Sequence, residues 1–76
     1  MELDIEEKII IVKQHLNGIL KAEYQTNLNI DLALSVEKPN QSLLDEYNNT
    51  LKNVIAQKNF LKNELEKLKS EKNNGI

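Results

Sequence analysis

His15 is the one imidazole in the chain, and imidazole is the side chain best suited to proton transfer near neutral pH. To act as a base or a ligand it needs a carboxylate, a hydroxyl or a second ligand held close. No His-x-x-Glu pattern or triad spacing surrounds it. It lies beside an apolar face, near Ile11 and Ile19, as an ordinary boundary histidine does. The acids Glu2, Asp4, Glu6 and Glu7 cluster as metal ligands do, but they stand where a first helix should begin. Carboxylates there oppose the positive end of the helix dipole and need no ion to explain them. Cysteine is absent, which removes thiolate nucleophiles, thiolate zinc sites and disulfides together. With two glycines in the chain there is no phosphate-cradling loop, and no nucleophile elbow is present. The residues therefore predict no enzyme activity, no cofactor and no metal site.

What remains polar and pointed is a different group: Glu23, Asn27 and Lys58, each of which interrupts an otherwise apolar row. In an antiparallel pair of helices turning near Pro39, Lys58 falls opposite Leu20 and Ala22, with Glu23 within one turn. The spacing predicts a register contact, which lowers stability and raises specificity. The other reading is a notch that receives a partner. Phe60 points away from the row on its own helix and is either a solitary exposed ring or an interface anchor.

The elements that must carry these residues follow from periodicity. Ile5, Ile9, Val12, Leu16, Ile19 and Leu20 fall on one side of a helix, in steps of three and four. Asn17-Gly18 is ordinarily a turn signal, yet the apolar phase runs straight across it, so one helix is expected to continue through Gly18. Beyond Leu20 the face degrades, with Glu23 and Asn27 at its centre, and Ile30 and Leu34 restore it. The stretch "LNIDLALSV" alternates apolar and other residues strictly, as a strand does, but its Leu and Ala content favours helix. Helix is expected there. Pro39, the single proline, biases Lys38 away from helical geometry. Ser42 and Asp45 then resemble a capping box, with Asn40 as a rival cap. In the second half Leu44, Tyr47, Leu51, Val54, Leu61, Leu65 and Leu68 follow the a/d spacing of a coiled coil, and Lys58 breaks it.

The expectation is an all-α antiparallel helical hairpin filling one domain. Its helices run over about 3–36 and 42–70, with a turn at 37–41 and a frayed polar tail at 71–76. Leu3, Ile10, Tyr24, Leu28 and Leu32 form a second apolar stripe on the first helix, more than one partner helix can cover. A dimeric four-helix bundle or coiled coil, or docking on another protein, is expected to bury it. Ile10, Tyr24, Leu28, Leu32 and Phe60 are the partner-binding candidates.

Composition narrows the partners. Ten lysines face twelve acids, no arginine is present and the isoelectric point is near 5.3. Arginine supplies most bidentate contacts to guanine and phosphate, so a nucleic-acid partner is not expected. The longest apolar run, Ile9 to Val12, is far short of a membrane span, and "MELDIEEK" is acidic where a signal peptide is basic. A soluble cytoplasmic chain is expected. The lysine- and asparagine-rich, arginine-free usage is that of an AT-rich genome such as a phage or mobile element.

"LALSVEKPNQSLLDEYNNTL", Leu32 to Leu51, resembles the turn region of type III secretion needle subunits. In those small hairpins the turn reads Pro-x-x-Pro-x-Leu-Leu and leads into a Tyr-containing helix. Pro39, Leu43, Leu44, Tyr47, Leu51 and Asn59 match with a one-residue gap. The second proline is missing and the tail is charged where needle subunits end in apolar residues. The resemblance covers about a third of the chain and implies a self-assembling subunit or an assembly co-chaperone. The residues themselves predict a small adaptor or inhibitor that binds a larger protein, itself, or both. An oligomeric sponge for a small molecule is the further alternative.

Overall fold

A computed structural model describes residues 2–74. Two helices, α1 (Ile5–Leu34) and α2 (Gln41–Asn74), pack against each other as an antiparallel hairpin, and no strand occurs among the described residues. One of the acids at the start of α1, Asp4, caps it. Asp4 is extended, its carboxylate accepts the Glu7 N–H at 2.8 Å and its carbonyl accepts the Lys8 N–H. The side-chain bond satisfies one of the helix's unpaired amide groups, and the Lys8 bond is the first of the helical ladder. At the other end the Ser35 N–H and hydroxyl both donate to the Leu32 carbonyl, closing α1 with a tightened turn. The alternating stretch from Leu28 is thus helical as far as Leu34.

Both ends of the turn differ from the expected boundaries. The connection covers residues 35–40, and α2 starts at Gln41 because Asn40, not Ser42, is the cap. The Asn40 side-chain oxygen accepts the Leu43 N–H at 3.2 Å and its carbonyl accepts the Leu44 N–H at 3.1 Å. Asn caps as well as Ser does, and directly after Pro39 it stands outside the helix, where a cap must be. Ser42 lies inside α2, and Asp45 accepts from the Gln41 side chain rather than closing a box. The tail expected to fray from 71 is helical through Asn74; residues 75–76 lie outside the described part.

The contact between the helices is one long seam. On α1 the half-buried or buried positions include Ile5, Ile9, Val12, Leu16, Ile19, Glu23, Thr26, Ile30 and Ala33, with Ala22 and Asn29 half-buried beside them. On α2 they include Leu44, Tyr47, Leu51, Val54, Lys58, Leu61, Leu65 and Leu68. Both rows advance in strict alternation of three and four, the period at which two helices stay in contact by winding slightly about each other. This corrects the face expected on α1. Leu20 and Leu34 are exposed, Leu34 at 54%, while Thr26 and Ala33 occupy the seam. A strict seven-residue repeat reaches position 26 from 19 and position 33 from 26, whichever side chain stands there.

The seam makes a thin core. Ile9, Leu44, Val54 and Leu68 are buried, and among the described residues none is sealed from solvent completely. The body measures 60 × 20 × 14 Å with a radius of gyration of 17.2 Å, against about 11 Å for a globular chain of this length. Capping therefore matters more than in a thicker fold. Asn40→Ala is expected to lower stability by about 1 kcal/mol while Ser42→Ala stays within about 0.5 kcal/mol. Paired thermal melts check the order; equal losses would return the cap to Ser42.

Candidate functional site

The middle of the seam is polar. Lys58 Nζ lies 2.7 Å from Glu23 Oε2, and the two side chains are 19% and 21% exposed. Each helix delivers its charged residue at a seam position, so neither can swing wholly into solvent without leaving the contact. The distance is that of a charge-assisted hydrogen bond. One step along α1, Thr26 is buried, and its hydroxyl donates to the Ala22 carbonyl at 2.8 Å, satisfying itself within its own helix. Asn27, the other candidate for a register contact, is exposed and stands outside the seam. Thr26 holds the position expected for it. Its signal in the sequence was the unbroken three-four spacing through 19, 23, 26 and 30, which is visible only if polar residues are counted.

Extending the Glu23–Lys58 register outward sets Ile19 level with Leu61, Leu16 with Leu65 and Val12 with Leu68. A second ion pair at the open end, Lys72 Nζ to Glu6 Oε1 at 2.9 Å, agrees with that alignment. It is more than half exposed at both side chains and contributes little, since solvent screens it and two long side chains must be held still.

The partner-binding candidates all lie on the outside. Tyr24 is 71% exposed, and Ile10, Leu28 and Leu32 are exposed with it along α1. Phe60 is 67% exposed on α2. There it lines an open, mostly apolar groove with His15, Gly18, Ile19, Ala56 and Leu61. Gly18 is helical with an ordinary backbone, and a β-carbon built on it meets no atom within 4 Å. The fold of the hairpin itself gives no steric reason for glycine there. His15 belongs to this groove wall, and among the described residues no three metal-ligating side chains gather around it or elsewhere. No helix among the described residues is long and apolar enough to cross a membrane.

No family model, curated protein or solved structure matches this chain. The needle-subunit likeness in the turn therefore stands on the quoted residues alone.

The seam pair yields a test. Removing either charge alone leaves its partner unpaired in a largely apolar contact, so Glu23→Leu or Lys58→Leu is each expected to lose about 1–2 kcal/mol. The double replacement is expected to regain that loss and to melt at or above the wild-type temperature. A double-mutant cycle by chemical denaturation reads the coupling, expected above about 0.5 kcal/mol. Additive losses would mean that the pair sets nothing.

Proposed function

We propose that this chain is a non-enzymatic protein-interaction module, a helical hairpin acting as an adaptor or inhibitor on a larger protein target. One observation carries the reading. The seam of the hairpin is already filled, yet Ile10, Tyr24, Leu28 and Leu32 remain exposed along the outside of α1. Contiguous apolar surface on a small chain marks a place where something else binds. Tyr24, Leu28 and Leu32 follow at steps of four, the form such surfaces take when an amphipathic helix meets a groove on a partner. A coiled-coil character, a cytoplasmic setting and a phage or mobile-element source belong to the same reading, supported by the three-four spacing and by the arginine-free composition.

The needle-type alternative differs in what the stripe meets: another copy in an open array instead of a distinct target. Wild-type chain and a variant carrying Ile10→Ser, Tyr24→Ser and Leu28→Ser separate the two. The substitutions are on the exposed side, so helicity by circular dichroism is expected to stay close to wild type. In a pull-down from the native host, the wild type is expected to retain a discrete protein that the variant loses. Sedimentation that grows into open polymers with concentration, abolished by the same variant, would replace the adaptor with the self-assembling subunit.

A further inference from the structure

We propose that the groove between Gly18 and Phe60 is the face on which a second copy of this chain docks, through a twofold axis parallel to the hairpin. This rests on the reading of the chain as an interaction module and gives one of its faces an occupant. The groove offers both halves of a contact on one surface. Phe60 projects from α2 as an exposed ring, and at Gly18, across the groove on α1, a β-carbon would meet nothing within 4 Å beyond its own turn of helix. On the register through Glu23–Lys58, Gly18 is level with Lys62 and Phe60 with Leu20, so the two stand about 3 Å apart along the rod, a step a phenylalanine ring can span.

A twofold axis along the hairpin exchanges the two sides of this face without shifting its levels. Phe60 of the second copy then sits over Gly18 of the first, and the reverse contact forms at the same time. Isologous interfaces need this self-complementarity: one patch must supply both the knob and its hole. The charges agree with it. Lys8 and Glu71 flank the same side of the seam at nearly one level, and both are exposed. The same rotation brings Lys8 against Glu71 of the second copy, opposite charges meeting at the rim. In the resulting assembly α1 faces α2 of the second copy in antiparallel order, the arrangement of an up-down four-helix bundle.

Surface area favours a copy-sized cover. The chain exposes 6051 Å², where a folded monomer of 8.8 kDa exposes about 4,800 Å². The surplus of about 1,300 Å² exceeds the roughly 800 Å² that each partner buries in a standard interface.

The chain has no cysteine, so single introduced thiols report the contact cleanly. Gly18→Cys and Phe60→Cys chains are mixed, equilibrated and mildly oxidised. In the mixed dimer one site pairs the two thiols, within the roughly 7 Å Cα separation a disulfide tolerates, and the other keeps its phenylalanine on glycine. The expected result is a covalent dimer containing one chain of each kind, with little cross-linking in either variant alone. Two further variants are read by sedimentation. Phe60→Ala is expected to raise the dimer dissociation constant at least about tenfold. Gly18→Leu is expected to stay folded and helical yet run as a monomer where the wild type is dimeric.

A wild-type chain that remains monomeric across the micromolar range would overturn the proposal. So would dimers that survive Gly18→Leu and cross-link through Tyr24→Cys, which would move self-association to the outer stripe. Target capture is read on that stripe with separate variants, so loss of this interface and loss of the adaptor reading give different results.

Discussion

The salt bridge between Glu23 and Lys58 ties one level of α1 to one level of α2 in the middle of the seam. An apolar seam alone is poorly discriminating. Leucine and isoleucine repeat along both rows, and a slip of one heptad would still bring apolar side chain against apolar side chain. Such a slip would set Lys58 against Leu16 or Ile30 and leave two charges unpaired between packed helices. That penalty is several times larger than the difference between one leucine contact and another. The six-residue connection limits how far the helices can slide, and the ion pair selects among the registers that remain. Everything placed at a level of the rod, from the end pair Glu6–Lys72 to the groove at Gly18, depends on that choice.

The hairpin was legible in the sequence because its signals are local and strong. A single proline, a cap beside it and a three-four apolar row on each side suffice for two helices and a reversal. Helix two was the clearer half, since its row is broken once, at Lys58. In α1 the spacing marks a helix, but the face its apolar residues trace drifts. Following apolar residues led to Leu20 and Leu34, which are exposed, and past Thr26 and Ala33, which the seam contains. Periodicity outranks side-chain type here, because a helix cannot rotate locally to spare one threonine. The cap moved from Ser42 to Asn40 for a related reason: residue preference at a cap is nearly equal for the two, so position relative to Pro39 decides.

The groove was not legible. Phe60 could be named as an outlying ring, but its opposite wall is built from Gly18, Ala56 and His15, and a glycine carries no apolar signal at all. Only the antiparallel register brings residues so far apart in the chain to one level. Gly18 is also a case where sequence gives the wrong emphasis. It reads as a possible break, whereas in the fold it is an unbroken helical position, destabilising by about 1 kcal/mol relative to alanine and open on its outer side.

The two helices divide the labour unequally. Beyond its seam, α2 exposes three large apolar residues, Leu43, Ile55 and Phe60, among lysines and glutamates. Within α1, Ile10, Ile11, Leu20, Tyr24, Leu28, Leu32 and Leu34 are exposed, scattered around most of its circumference. A helix buried on one side only has no use for such a sequence. In a twofold bundle along the hairpin axis, α1 lies between its own α2 and α2 of the second copy, so two of its sides are covered. The side carrying Ile10, Tyr24 and Leu28 still faces outward on both copies. On these two proposals a helix with apolar residues on three sides would have three neighbours: its own seam, the second copy and a target. On that geometry the dimer presents its outer stripes in duplicate, on opposite flanks of one rigid body. Binding through them is bivalent wherever the target is itself repeated.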